Sequence, residues 1–271
     1  MTLVLITYLG VGLVAGILAG LLGIGGGLVI VPMLVYCLAR QTIPPEFIMH
    51  IALATSMASI IFTSISSFLA HHKRRAVHWD VVRRIVPGIL AGTFLGSCVA
   101  SRLPGNFLKV FFVAFLFYVA LQMLLDKKPA PSRDFPGQIG MFGVGGGIGV
   151  VSSLVGIGGG TLSVPFMIWC NLAVHHAIGT SAAIGFPIAI AGTLGYIVNG
   201  WSVQNLPAYS LGYVYLPALL GIVSTSVLTA PLGVRLAHSL PVAKLKRVFA
   251  FALLIVGTRM LASLLVPFGL S

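Results

Sequence analysis

Carboxylates are nearly missing from this chain. Glu46, Asp80, Asp126 and Asp134 are its four acids in 271 residues. None falls deep within an apolar run. That excludes paired carboxylates for acid–base chemistry, and a proton relay or sodium site built on a buried Asp or Glu. Cysteine is scarce too. Cys37, Cys98 and Cys170 form an odd set without a C-x-x-C spacing, which speaks against a disulfide framework and a zinc site. They are expected as embedded free thiols. There is no H-E-x-x-H, no pair of intramembrane aspartates, and no G-x-S-G at Ser181, which Ala182 follows. An enzyme, a metal centre and a cofactor are therefore not expected.

Charge of either sign is thin. Charged residues make up 7% of the chain, against about 25% in a soluble domain. The hydrophobic share is 58% and the mean hydropathy +1.08. No soluble fold of this size covers its surface with so few charges, so lipid is the expected solvent. Several apolar runs approach the ~20 residues that a helix needs to cross a bilayer, and they leave no room for a separate water-soluble domain. The opening MTLVLITYLGVG has no basic segment before its apolar run. It reads as a first membrane segment and not as a cleaved signal.

The net charge of +12 would suggest nucleic acid in a soluble protein. Here the basic residues sit in loops between apolar runs, which is the pattern of positive-inside anchoring. The expected partners are the lipid bilayer and a small anion, with no nucleic acid. Monomer and homodimer both remain open.

What the chain does have is a repeat. Gly23-Ile24-Gly25-Gly26-Gly27 recurs as Gly156-Ile157-Gly158-Gly159-Gly160, and Pro32 and Cys37 meet Pro165 and Cys170 at the same offset. His50 with Thr55-Ser56 matches His175 with Thr180-Ser181. Pro87 matches Pro217, and Leu103-Pro104 matches Leu240-Pro241. The expected organisation is an N-terminal transmembrane repeat over residues 1–125 and a polar, proline-rich cytoplasmic linker over 126–136. A C-terminal transmembrane repeat follows over 137–271.

Three loops carry most of the sixteen basic residues. The first holds Lys73, Arg74, Arg75, Arg83 and Arg84. The linker holds Lys127, Lys128 and Arg133. The third holds Arg235, Lys244, Lys246 and Arg247. Equivalent loops of the two copies carry opposite bias: the basic loop after the first Thr-Ser helix corresponds to the uncharged NGWSVQNLPAYS. The copies are therefore expected to be inverted, as in many transporters. Apolar runs fall at about 3–22, 28–39, 47–70, 85–101 and 107–125, then 137–155, 161–173, 176–198, 210–234 and 248–266. The expected fold is all-α: a polytopic membrane protein of two inverted repeats, about five helical segments each, with re-entrant or broken helices at the GIGGG motifs. Eight full spans are the alternative.

The short run after each glycine cluster is the reason for expecting a break. A 12-residue helix is only ~18 Å long and cannot cross a ~30 Å core, but it can form half of a re-entrant hairpin. Glycine allows positive φ and a close backbone approach. Pro32 and Pro165 are expected near the first turn of the return helix, where a missing N–H costs least. A helix N-terminus buried in lipid leaves N–H donors that an anion satisfies. The alternative use of GIGGG is helix packing through small residues.

The candidate substrate-binding set is Gly25, Gly26, Gly27 and Leu28 with Thr55 and Ser56, and Gly158, Gly159, Gly160 and Thr161 with Thr180 and Ser181. The hydroxyls either donate to substrate oxygens or bond back to helix carbonyls. His50, His175 and Arg259 are candidates for a proton or anion relay. For the histidines the alternative is an interfacial role, and for Arg259 it is snorkelling outward. His71, His72 and His78 lie in the basic loop and are expected to be solvated.

At GIGGGLVIVP (23–32), GIGGGTLSVP (156–165), Ala54-Thr55-Ser56 and Gly179-Thr180-Ser181, the chain resembles the sulfite exporter TauE/SafE family of membrane permeases. The match covers both halves. It departs from symmetry where Ala54 stands opposite Gly179. The resemblance implies export of a small sulfur-containing anion (sulfite, sulfoacetate or another organosulfonate) across the cytoplasmic inner membrane. It also implies alternating access, coupled to an ion gradient such as protons. A passive anion channel and a transporter of a non-sulfur anion such as a carboxylate are the alternatives.

Overall fold

The structure, a computed structural model, describes residues 2–22, 26–41, 43–125, 133–239 and 242–265. Two sets of five helices account for nearly all of it. The first set is α1 (Thr2–Leu22), α2 (Gly27–Leu38), α3 (Pro45–Lys73), α4 (Trp79–Arg102) and α5 (Gly105–Leu125). The second is α6 (Gln138–Val155), α7 (Gly160–Trp169), α8 (Val174–Gly200), α9 (Leu216–Ser239) and α10 (Val242–Leu265). A two-stranded antiparallel ribbon, β1 (Ser210–Leu211) and β2 (Val214–Tyr215), precedes α9, pairing Ser210 with Tyr215. Among the described residues it is the only sheet. Helix is what these runs must form, because lipid offers backbone groups no other partner. Seven helices, α3 to α6 and α8 to α10, are long and apolar enough to cross a membrane by length and composition.

Helix ends follow local chemistry. Pro45 opens α3 at its first position, where its missing N–H is harmless, and His71, His72 and Lys73 fall in the last turn. Asp80 lies in the first turn of α4 and Arg102 in its last, each matching the sign of the helix dipole.

The two sets interlock. α1 packs chiefly on α9, and its counterpart α6 packs on α4; α3 faces α8, and α5 faces α10. The seam of α1 is made of glycines four residues apart. A Cβ at Gly12 would strike the Ile222 carbonyl, one at Gly16 the Ser226 carbonyl, and one at Gly20 the Ala230 carbonyl. Thr225 and Thr229 donate across the seam to the carbonyls of Leu9 (2.8 Å) and Leu13 (3.1 Å). Gly88 and Gly92 of α4 are closed in the same way by Phe142 and Gly146 of α6. Small residues let backbones approach when both surfaces are apolar and hydrophobicity alone gives no preference for the partner over lipid.

Direction follows from these contacts. Along α1 and α9, and along α4 and α6, the contacts rise together, so each pair is parallel. α3 and α8 oppose each other: Gly192 lies against Met57 (3.2 Å to Sδ), while Gly185 lies against Ser64 (3.7 Å to Cβ). Equivalent helices of the two sets are therefore antiparallel, which a twofold axis in the membrane plane produces. The chain is an all-α, polytopic protein of two inverted sets.

The short helices turn back. Gln41, just past α2, donates to the Tyr8 hydroxyl near the start of α1 (3.1 Å). In the second set Asn171, just past α7, donates to the Arg133 carbonyl ahead of α6 (3.2 Å). The Arg133 guanidinium lies over the Trp169 ring (4.9 Å), and Phe135 packs edge-on against Phe166. Each pair, α1–α2 and α6–α7, thus leaves at the level where it came in. Three long helices per set run the full height beside these two hairpins.

Candidate functional site

The hairpin tips are where the helices break. Gly26 caps α2 with φ 80° and Gly159 caps α7 with φ 75°, a left-handed conformation that side chains disfavour. Gly156 ends α6, also left-handed (φ 71°), with its amide on the Ser152 carbonyl at 2.8 Å; the Ile157 amide joins the same carbonyl at 3.1 Å. Gly23 and Gly25, with Ile24 between them, lie outside the described residues.

The tips meet. A Cβ on Gly27 would collide with the Gly156 carbonyl and stand 3.0 Å from the Ile157 Cα. A Cβ on Gly156 would lie 3.0 Å from both Leu53 and Val31. Gly158 approaches Gly185, beside Ser64. These neighbours lie near the middle of α3 and α8, so the tips come together at about half the height of the long helices.

At each tip a helix begins with its N–H groups aimed at the junction. Val29 and Ile30 donate to the Gly26 carbonyl, and Leu162 and Ser163 to the Gly159 carbonyl. The amides of Gly27 and Leu28, and of Gly160 and Thr161, have no backbone acceptor among the described residues. Donors of this kind, at the positive end of a helix dipole, suit a negatively charged guest.

The prolines sit just past the first turn. Pro32 and Pro165 are inside their helices, in the second turn, because each helix starts directly after its left-handed glycine. Each proline therefore withholds the amide that would bond the carbonyl four residues back, Leu28 in α2 and Thr161 in α7.

The hydroxyls hold the halves to one another. Thr55 accepts from the Tyr215 amide of the second half (3.0 Å), and Thr180 from the His78 amide of the first (2.9 Å). Ser56 donates across to the Gly156 carbonyl (2.7 Å), while within the second half Ser163 donates to Ser181 (2.9 Å). None of these bonds is the local back-bond considered for these residues. As acceptors, Thr55 and Thr180 keep their O–H groups for a further partner. On α3 the buried Ser59, Thr63, Ser67 and His71 continue at four-residue intervals toward the basic loop. On α8 the corresponding positions are Ile184, Ile188, Gly192 and Tyr196.

The relay candidates fare differently. His50 is buried under Tyr213 (rings 5.2 Å apart), with Nδ1 3.1 Å from the Glu46 carbonyl and Nε2 3.1 Å from that of Leu103. A neutral imidazole has one N–H and meets one of these carbonyls; the cation meets both. Burial pushes the Tyr213 phenol up, so it stays protonated beside His50. His175 is exposed and touches the ring of His176 (4.2 Å), which meets His78 edge-on (4.7 Å). Arg259 is exposed on α10. His72 and His78 are exposed as expected, but His71 is 1% exposed, its Nε2 3.1 Å from the Gly20 carbonyl. The helix simply continues through it, and α1 covers it. Among the described residues no group of His, Cys, Asp and Glu is placed to hold a metal ion.

Two hydroxyls stand at the second tip, that of Thr161, already among the sequence candidates, and that of Ser152, which the sequence reading missed. Ser152 is fully buried, its Oγ 3.3 Å from where a Gly159 Cβ would stand, and Thr161 is 6% exposed. Neither has a hydrogen-bond partner. The signal was in the repeat alignment, which sets them opposite Ala19 and Leu28.

Comparison with known proteins agrees with this architecture. A family model described as "Sulfite exporter TauE/SafE" matches residues 8–260. A probable membrane transporter protein of Haemophilus influenzae is 41% identical over 252 residues, covering 92% of this chain and 95% of its own. The probable membrane transporter protein YunE of Bacillus subtilis is 30% identical over 209 residues, 70% of this chain and 77% of its own. No solved structure matches.

Proposed function

The chain belongs to the sulfite exporter TauE/SafE family of membrane transporters, and on that premise we propose that it exports a small sulfur-containing anion across the inner membrane. The anion is sulfite, sulfoacetate or another organosulfonate. The observation that carries the reading is the meeting of two left-handed glycine breaks, Gly26 and Gly159, each capping a short helix whose first amides face the junction. An anion there is held by backbone dipoles and no carboxylate opposes it, since Glu46, Asp80 and Asp134 all lie at helix ends or outside helices.

Alternating access follows from the inverted architecture. The two hairpins come in from opposite ends and share one binding region, so rocking one half against the other exposes that region to each side in turn. Export is coupled to a proton gradient in this reading. His50 is the proton carrier of choice, because its charged form would find a carbonyl acceptor at each ring nitrogen. Arg259 is left to the headgroups. The basic loops face the cytoplasm.

Proteoliposomes test this. Purified full-length protein should exchange labelled sulfite against internal sulfite, and an imposed pH gradient should drive net accumulation. Flux that shows neither counterflow nor response to the gradient means a passive channel. Transport of carboxylates with sulfite excluded means the substrate class is wrong.

A further inference from the structure

The two tips are equivalent in backbone but not in side chains. At the second, Ser152 and Thr161 bring two buried, unpartnered hydroxyls to the start of α7. At the first, the same positions are Ala19 and Leu28, both 1% exposed and purely hydrocarbon. Ser163 likewise stands opposite Ile30. A buried hydroxyl without a partner is costly, and here two of them fall at one turn, beside the glycine that caps α7. Ser152 is held beside the left-handed Gly159, where a side chain would displace both it and Ile188. The glycine keeps that space open.

We infer that the hydroxyls that bind the oxygens of the transported anion come from the α7 side alone, Ser152 and Thr161 beside the amides of Gly160 and Thr161. The first tip offers only the amides of Gly27 and Leu28, because Ala19 and Leu28 put hydrocarbon where those hydroxyls stand. This rests on the anion-transporter reading and adds a selection rule to it. An anion with three oxygens on one face, such as sulfite or an alkyl sulfonate, turns all three toward donors. Its remaining side, a lone pair or a carbon, meets Leu28. A four-oxygen anion such as sulfate must turn one charged oxygen toward the first tip, where no hydroxyl receives it. Ser152 and Thr161 are thus ligands, and Leu28 with Ala19 the specificity determinant.

The experiment is titration calorimetry on the purified full-length chain with sulfite, methanesulfonate and sulfate. Wild type should bind the first two at least tenfold more tightly than sulfate. Ser152→Ala and Thr161→Val should each weaken sulfite and methanesulfonate about tenfold, while Thr161→Ser, which keeps the hydroxyl, stays near wild type. The double change Ala19→Ser with Leu28→Thr, which makes the first tip like the second, should narrow the gap between sulfate and sulfite. Should wild type bind none of the three anions, the anion-transporter reading itself fails. If wild type binds them, but sulfate as tightly as sulfite, or if Ser152→Ala and Thr161→Val bind unchanged, the reading stands and this inference is overturned.

Discussion

The Thr55 hydroxyl holds the Tyr215 amide at 3.0 Å, and its counterpart Thr180 holds the His78 amide at 2.9 Å. In each case a hydroxyl on the long helix of one half receives the strand or loop that leads into a helix of the other. The bond crosses between the halves at both places, so the pair acts as a reciprocal clasp.

Replacing either threonine with valine keeps its shape and removes the acceptor. The part-buried amide is then left without its partner, at a cost of up to about 1–3 kcal/mol. Thr55→Val and Thr180→Val should each lower the thermal unfolding midpoint in detergent, and Thr→Ser at the same positions should lower it less. A midpoint unchanged in both valine variants would show that water replaces the lost bond.

The glycine seams should tolerate no bulk. Gly16→Leu on α1 and Gly92→Leu on α4 each drive a side chain into a facing carbonyl. Overpacking of this kind costs roughly 1–3 kcal/mol, often more where backbone must move. Gly10, with nothing within 4 Å of a built Cβ, is the control, and Gly10→Leu should leave yield and gel-filtration profile intact.

The hairpins fix which side labels from where. In a chain freed of Cys37, Cys98 and Cys170, single cysteines at Asn171 and His72 should react with an impermeant maleimide from one side of the membrane. A cysteine at Gln41 should react from the other. Labelling of Gln41→Cys and Asn171→Cys from the same side would mean that α2 or α7 crosses fully and that the antiparallel arrangement of the halves is wrong.

His50 has both nitrogens committed to carbonyls and a ring stacked on Tyr213. His50→Phe keeps the stacking and strands the carbonyls of Glu46 and Leu103. Destabilisation of about 1–3 kcal/mol is expected. In proteoliposomes the proposed proton role predicts that sulfite counterflow survives while gradient-driven accumulation is lost. Loss of both, in protein that remains folded, would argue for a role in binding.

Much of this was legible in the chain itself, and the reasons are physical. Helix limits tracked hydropathy because lipid tolerates almost no other backbone. The breaks at Gly26 and Gly159 were legible because left-handed turns call for glycine and the motif occurs twice. Inversion was legible because basic loops stay on one side. The division at the linker and the role of the tips as a binding site remain readings of the sequence, now with a geometry to test. Other features were hidden for equally physical reasons. Gly12, Gly16 and Gly20 carry no local mark of the helix they meet. The clasp of Thr55 on Tyr215 depends on a partner far along the chain, so the hydroxyl alone does not reveal it. His71 looked solvated among charged neighbours, yet the cover it receives from α1 cannot be read from adjacent residues. Pro32 and Pro165 lie near the helix starts as read, but each start is set by the glycine cap and not by the proline.

The seam between α1 and α9 has a consequence for how the protein is made. Thr225 and Leu9, which bond across it, are 216 residues apart. The ribosome releases α1 first and must translate most of the message before its mate emerges. Until then α1 waits in the bilayer or against the insertion machinery, its grooved flank uncovered. Severing the gene within 126–136 would give two fragments, each lacking the mate of its own leading helix, so only cells making both together should accumulate either one.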